Sequence, residues 1–201
     1  MPDRPIIFSA PMVRALLAGR KTQTRRLASS PLSRCAAGDR LYVREAVSCG
    51  GVFSDVVEVR YRAHQNASHT EFVEQVPVDR ATSVLPNWPR YSPSIHMPRW
   101  ASRLTLIVEQ VRTEQLQAIS EADAIVEGLV QHVPPAHLGM PHWRVEGIDL
   151  PQQVNARMTF AALWASLHTK PGERWADNPD IIALTFRVER ANIDQLTNEG
   201  K

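Results

Sequence analysis

Apolar and polar residues alternate along four segments of the chain, and this period of two predicts β-strands. The segments cover residues 38–48, 55–63, 103–111 and 181–190. In the last segment Ile182, Leu184, Phe186 and Val188 fall on one face, as expected for a strand with one side against the core. The alternation in 103–111 slips at Glu109, which is typical of a β-bulge.

A helix is predicted directly after Ser9, over the segment APMVRALLAG. Ser9 is a favourable N-cap, Met12, Ala15 and Leu16 form an apolar stripe, and Gly19 is a typical C-terminal stop. This helix therefore ends immediately before a run of basic residues.

Two further helices are predicted, over residues 119–129 and 152–168. Ser120 and Asp123 have capping-box spacing in the first of these segments. The second segment carries a wide apolar face. Its members are Val154, Met158, Ala161 or Ala162, and Ala165, widened by Phe160, Leu163, Trp164 and Leu167.

Residues 64–100 and 130–151 show little periodicity, and both segments contain several prolines. Connections of this length are usually functional loops. The order of elements has neither a repeat nor a regular βαβ alternation. We therefore predict a single α+β domain over residues 1–201, in which mostly antiparallel strands curl into a small β-barrel with flanking helices and two long loop insertions.

The composition, with 43% hydrophobic and 22% charged residues, is that of an ordinary globular protein. The sequence has no apolar run of membrane-spanning length and no secretory signal, so we expect a cytoplasmic protein without a membrane partner. Cys35 and Cys49 lack a C-x-x-C arrangement, which favours two reduced thiols packed in the interior.

One segment of the chain is strongly basic. It contains four positive charges within seven residues, on Arg20, Lys21, Arg25 and Arg26. Such a cluster is compatible with a solvated basic face, with phosphate contacts or with a catalytic site. The chain has 23 Arg and Lys residues, of which only three are lysines. A lysine among arginines points to chemistry, since lysine can lose its proton and arginine effectively cannot.

Lys21 and Thr24 supply a candidate base and a candidate hydroxyl nucleophile. Burial and neighbouring like charges are expected to lower the pKa of Lys21 towards neutrality. Residues three apart in a regular strand point to opposite faces, so the chain is expected to turn between these two residues if their side chains are to meet.

The segment GRKTQTRR, residues 19–26, has the form G-x-K-x-x-T-x-R, and the strand segment GDRLYVRE follows it. Both resemble the signature of the ASCH domains, a branch of the PUA-like superfamily. The segments RPIIFSAPMVRALLAGRKTQTRR, PSIHMPRWASR and RWADNPD resemble the longer bacterial and phage-associated members. The chain is about twice as long as the compact members of the family, and many ASCH proteins have glutamate where this chain has Thr24.

The resemblance implies a small β-barrel with a cleft that accepts a nucleoside or RNA. Compact bacterial members are amidohydrolases that remove the acetyl group from N4-acetylcytidine with a lysine, a threonine and a glutamate. On this chain these residues correspond to Lys21, Thr24 and Glu127, the last from the segment ISEADAIVEG. Lys21 would act as the base, Thr24 or a water held by it as the nucleophile, and Glu127 as the acid that protonates the departing amine.

Three further residues are candidates for contacts with the substrate. Arg26, or a backbone N–H near Gly19, would stabilise the oxyanion. Glu45 follows the LYVR strand and either lines the cleft or forms a salt bridge with Arg26 or Arg44. An RNA-binding module and a ribonuclease using the same basic cleft remain alternatives to the amidohydrolase.

Histidines offer the remaining candidate chemistry. His132, His137 and His142 occur five residues apart without helical spacing or acidic companions, so we expect no zinc site and no cofactor. His96, with Arg99 and Trp100, is a candidate surface for stacking on a base.

Overall fold

The computed structural model describes residues 3–53, 56–64, 70–74, 85–87, 89–135, 137 and 139–196. Its α-helices are α1 (Ala10–Leu17), α2 (Glu121–Val126) and α3 (Ala156–Leu167). Its strands are β1 (Arg4–Ile7), β2 (Gln23–Leu27), β3 (Arg40–Arg44), β4 (Val47–Phe53), β5 (Val56–Tyr61), β6 (Thr70–Glu74), β7 (Thr105–Gln115), β8 (Val130–His132), β9 (His142–Arg144) and β10 (Asp180–Glu189). None of these helices combines the length and the apolar character needed to cross a membrane.

The described strands form a five-stranded sheet of order β1-β3-β7-β10-β2, a three-stranded sheet of order β4-β5-β6 and a two-stranded sheet of β8 and β9. The β1–β3 pair is parallel, whereas the β2–β10, β3–β7, β4–β5, β5–β6 and β8–β9 pairs are antiparallel. The predicted α+β class is confirmed. No closed barrel is found among the described strands, because β4 and β5 belong to a sheet of their own.

The chain divides into two compact units, each made of separate segments. The first unit comprises Met1–Arg14, Asp39–Ile107 and Val188–Lys201. Its β3 is buried on both faces, through Leu41 and Val43 on one side and Tyr42 on the other. A second apolar cluster packs around the β4–β5 hairpin and consists of Val47, Cys49, Val57, Val59, Tyr61, Leu85, Met97 and Ala101.

The second unit comprises Ala15–Gly38 and Val108–Arg187, and it contains α2, α3, β2 and most of β10. Ile181, Ile182, Ala183 and Leu184 of β10 are all buried, so this strand is covered on both faces. Their register places β10 directly beside β2.

The predicted apolar face of α3 is only partly right. Asn155 is the N-cap and its side chain accepts a hydrogen bond from the Met158 N–H at 2.8 Å, so Val154 precedes the helix and is 75% exposed. Met158 and Leu167 are also exposed. The buried face keeps the predicted Phe160, Leu163 and Trp164 and adds Ala156 and Thr159.

Three predicted segments differ from the structure. The strand expected over 38–48 is broken, since β3 ends at Arg44 and β4 begins at Val47 in another sheet. Residues 64–100 contain β6, although positions 65–69, 75–84 and 88 of this segment lie outside the described residues. Residues 130–151 contain the β8–β9 hairpin. Neither cysteine forms a disulfide and both are buried, as predicted.

Candidate functional site

The end of α1 sets the start of the basic segment. Gly19 has a φ of 70°, a left-handed conformation that glycine adopts at low cost, and its N–H donates to the Leu16 carbonyl at 3.0 Å. The N–H groups of Arg20 and Lys21 both donate to the Ala15 carbonyl. These bonds leave the N–H groups near Gly19 occupied, so Arg26 is the better candidate for the oxyanion.

Lys21 pairs with the C-terminal end of α2. It forms an isolated antiparallel bridge with Glu127, and the N–H of the next residue, Thr22, donates to the Val126 carbonyl at 3.0 Å. Gly128 follows with a φ of 104°, and a Cβ there would lie 3.0 Å from the Ala15 Cβ and 3.3 Å from the Lys21 Cβ. Glycine therefore permits the close approach of this segment to the lysine.

The Lys21 ammonium donates to three acceptors. Its Nζ lies 2.7 Å from Glu127 Oε2, 2.9 Å from the Glu127 carbonyl oxygen and 2.9 Å from the Gln23 carbonyl oxygen. The two side chains are only 3% and 4% exposed. Burial lowers the pKa of Lys21 below its ordinary value of 10.5, Arg26 and Arg25 act in the same direction, and Glu127 opposes them. The direction predicted from the sequence is confirmed.

Thr24 lies in β2 with its side chain buried. Its hydroxyl oxygen accepts a hydrogen bond from Arg26 at 2.7 Å, because residues two apart in a strand share a face. The Lys21 Nζ contacts the carbonyl of the peptide group that joins Gln23 to Thr24. The lysine nitrogen therefore contacts the main chain next to Thr24, and this contact does not involve the Thr24 hydroxyl.

Arg25 is the residue of this site that the sequence analysis missed. Its side chain is fully buried, and its guanidinium donates to Glu127 Oε1 at 3.1 Å, to Gln23 Oε1 at 2.7 Å and to Glu114 Oε1 at 2.8 Å. Asp123 Oδ2 lies 3.3 Å from the same guanidinium. Arg25 and Lys21 therefore hold the two oxygens of one carboxylate, and we refer to Lys21, Arg25 and Glu127 as the lysine cluster.

A signal for Arg25 was present in the sequence. Asp123 and Glu127 are four residues apart, which places both carboxylates on one side of a helix. Gln23 and Arg25 are two residues apart and share a face of β2. The sequence therefore shows two acids on one side of a helix and a cation on one face of a strand. That these acids contact Arg25 follows only from the way α2 and β2 pack in three dimensions.

Glu45 belongs to the first unit and has a different partner from those considered. Its carboxylate oxygens accept from Arg103 at 2.8 Å and 3.1 Å, in the two-pronged geometry typical of arginine. The Arg103 guanidinium lies 3.9 Å from the centre of the Tyr61 ring and 2.6 Å from His64 Nε2. We refer to Arg103, Glu45, His64 and Tyr61 as the arginine cluster.

Two residues of the candidate stacking surface have structural partners. Arg99 donates hydrogen bonds to Asp3 and Asp194, and Trp100 packs against the apolar cluster of the first unit. The stacking role with His96 stays a prediction.

Two of the three histidines in the predicted loop over residues 130–151 lie close together. His132 and His142 face each other across the β8–β9 hairpin with ring centroids 5.0 Å apart. Within the described ranges no group of three or more His, Cys, Asp or Glu side chains could hold a metal ion.

The chain was compared with protein-family models, with curated proteins and with solved structures. None of the three comparisons finds a match.

Proposed function

We propose that the chain is a metal-independent amidohydrolase that removes the acyl group from N4-acetylcytidine or a related N4-acylated cytidine. The observation that carries the proposal is the buried contact of 2.7 Å between Lys21 Nζ and Glu127 Oε2. The choice of substrate comes from the resemblance of residues 19–26 to the ASCH signature.

A proton shared by Lys21 and Glu127 provides a base and an acid together. Transfer of the proton from Nζ to Oε2 across this hydrogen bond gives a neutral amine and a protonated carboxyl group. Burial favours that neutral form, since it penalises the charged lysine. In the neutral form Lys21 accepts a proton and Glu127 gives one, as hydrolysis of an amide requires.

The nucleophile is the Thr24 hydroxyl or a water molecule bound to it. Its oxygen already accepts a hydrogen bond from Arg26, so its own proton is available for donation, and the adjacent guanidinium stabilises negative charge on the oxygen. Lys21 takes this proton, the oxygen attacks the acyl carbonyl, and Glu127 protonates the N4 amine as the C–N bond breaks. With threonine as nucleophile, water then hydrolyses the acyl ester.

Two arginines have separate roles in this scheme. Arg25 stabilises the carboxylate that Glu127 becomes after giving up its proton, since it contacts the other carboxylate oxygen at 3.1 Å. Arg26 is the cation nearest the Thr24 oxygen and stabilises the oxyanion. The acids that contact Arg25 and the Glu146 carboxylate on Arg20 also reduce the positive charge available for phosphates, which disfavours the RNA-binding alternative.

The test is incubation of the protein with N4-acetylcytidine and, in parallel, with labelled RNA. We expect release of cytidine, and Lys21→Met should lower kcat/KM by about 10²- to 10⁴-fold, the usual contribution of a general base. Lys170→Met is the matched control, because it makes the same change at an exposed lysine. Activity that survives Lys21→Arg would contradict the proposal, since arginine keeps the charge but does not titrate. Cleavage of the RNA would support the ribonuclease instead.

A further inference from the structure

A row of aromatic rings extends along α3 from the lysine cluster. The Arg25 guanidinium lies 5.9 Å from the centre of the Phe160 ring, and the Phe160 and Trp164 centroids are 6.2 Å apart. Trp164 then stacks on His168, with centroids 4.0 Å apart and planes inclined by 18°. The row therefore leads from the buried lysine cluster to an imidazole at the end of the helix.

The imidazole is held in one orientation. The Trp164 indole N–H donates to the Glu173 carbonyl at 2.8 Å, and the indole is only 4% exposed. The backbone N–H of His168 donates to the Trp164 carbonyl at 2.9 Å. The ring Nδ1 of His168 lies 3.8 Å from a Glu173 carboxylate oxygen. Trp164 covers one face of the imidazole, and the His168 side chain as a whole is 24% exposed.

The charge of Arg26 influences the protonation of both His168 and Lys21. Burial lowers the pKa of His168, Glu173 opposes this, and the charge of Arg26 lowers the pKa further. The charge of Arg26 also lowers the pKa of Lys21. At neutral pH the imidazole is therefore an uncharged ring under the influence of Arg26, which is half-buried.

We propose that His168 is a substrate-binding residue whose partly exposed ring, backed by Trp164, stacks on the pyrimidine ring of the substrate. The identity of the heterocycle rests on the proposed function. An uncharged ring fixed against an indole loses little conformational entropy on binding, and stacking of a base on an aromatic side chain contributes about 1–3 kcal/mol.

The direct test is an NMR titration of protein labelled with ¹³C in its histidine rings, with cytidine as the probe. The chain has seven histidines, and the His168 signal is assigned as the one that disappears in His168→Phe. We expect cytidine to shift the His168 Cε1–H signal strongly, while the signal of the exposed His137 stays in place. A saturating cytidine concentration that leaves the His168 signal unmoved would overturn the proposal.

Kinetics with N4-acetylcytidine supply a second test. His168→Ala should raise KM about 5- to 100-fold with little change in kcat, and His168→Phe should restore most of the affinity because it keeps a flat ring. The thermal midpoint of each variant is measured alongside, since a purely structural role would change the midpoint and leave KM alone. His137→Ala is the matched control and should change neither quantity.

The outcomes separate this proposal from the proposed function. A shifted His168 signal without turnover would support the base-binding residue and contradict the amidohydrolase. Turnover of N4-acetylcytidine, with an unmoved His168 signal and an unchanged KM in His168→Ala, would support the amidohydrolase and contradict the base-binding role of His168. A protein that neither binds cytidine nor hydrolyses N4-acetylcytidine would contradict both.

Discussion

The lysine cluster and the arginine cluster each bury a glutamate against a cation, yet they are built from different cations. Glu45 accepts both bonds from the fork of Arg103, whose guanidinium also lies over Tyr61. Glu127 divides its oxygens between Lys21 and Arg25. Arginine keeps its proton under all ordinary conditions, whereas a buried lysine can release it. The first arrangement therefore keeps its protons, whereas the second contains an amine that can release one.

His64 strengthens the contrast. A guanidinium only donates hydrogen bonds, so the His64 Nε2 that lies 2.6 Å from Arg103 NH1 is the acceptor in this contact. Arg103 is thus the donor to both Glu45 and His64, and an arginine does not give up its proton. In the lysine cluster the short Nζ–Oε2 contact involves an amine that can release its proton.

The largest effect on stability is expected from Arg103→Met. This change removes both hydrogen bonds to a carboxylate that is 2% exposed, together with the contact to Tyr61. Breaking a buried ion pair from one side costs about 3–5 kcal/mol, and we expect the free energy of unfolding to fall by that amount in urea titrations. A loss below about 1 kcal/mol would show that this pair is no more important than a surface ion pair.

Lys21→Met should destabilise the protein less than Arg103→Met. Glu127 keeps its contact with Arg25 at 3.1 Å, so its charge stays paired. We expect a loss of about 1.5–3 kcal/mol, the usual range for a hydrogen bond to a charged group, measured by the same urea titration. Equal losses of unfolding free energy in Lys21→Met and Arg103→Met would contradict the expected difference between the two clusters.

The pH dependence of the two clusters should also differ. The acid step needs the proton that Lys21 and Glu127 share, and the pKa of Lys21 lies below 10.5, so kcat/KM should fall by up to about tenfold per unit as pH rises above that lowered pKa. The unfolded chain binds more protons at Lys21 between the lowered folded pKa and 10.5, so stability should rise with pH in this window. Comparison of the wild type with Lys21→Met isolates the contribution of Lys21 to the pH dependence of stability. The same slope of unfolding free energy against pH in both proteins would contradict this contribution.

The smallest effect is expected from Arg20→Gln. Arg20 pairs with Glu146 at 2.7 Å, but the two side chains are 33% and 54% exposed. An exposed ion pair contributes about 0–1 kcal/mol and is screened by salt, so the change in unfolding free energy should be small and should vanish at high ionic strength. A large loss of kcat/KM in this variant would show that the positive charge of the segment, rather than the buried lysine, supports activity.

The sequence was informative about the lysine cluster because its members carry local signals. Gly19 ends a helix, Ser120 begins one, and the spacing from Ser120 to Glu127 follows from helical geometry. The Ser120 cap is present, with its side chain accepting from the Asp123 N–H at 3.0 Å. The contact between Lys21 and Glu127 joins residues that are 106 positions apart, and here the resemblance to a known signature, rather than periodicity, suggested the pairing.

The arginine cluster could not be predicted in the same way. Glu45 and Arg103 are 58 positions apart, and their contact depends on the pairing of β3 with β7 and on the break between β3 and β4. Alternation of apolar residues predicts a strand but not its neighbours, so the choice of Arg26 or Arg44 as the partner of Glu45 relied on closeness in sequence. The barrel prediction failed to account for the same break.

The position of Glu127 at the C-cap of α2 restricts which insertions and deletions this protein can tolerate. Each residue added to or removed from an α-helix rotates everything beyond it by about 100°. One residue more or less between Ser120 and Glu127 would therefore turn the carboxylate away from Lys21, even with every side chain of the site retained. A length change in the exposed stretch around Val133 and Met140 would leave that angle unaltered. In a library of random single-residue deletions, α2 should accordingly be far less permissive than the β8–β9 connection, although both are short.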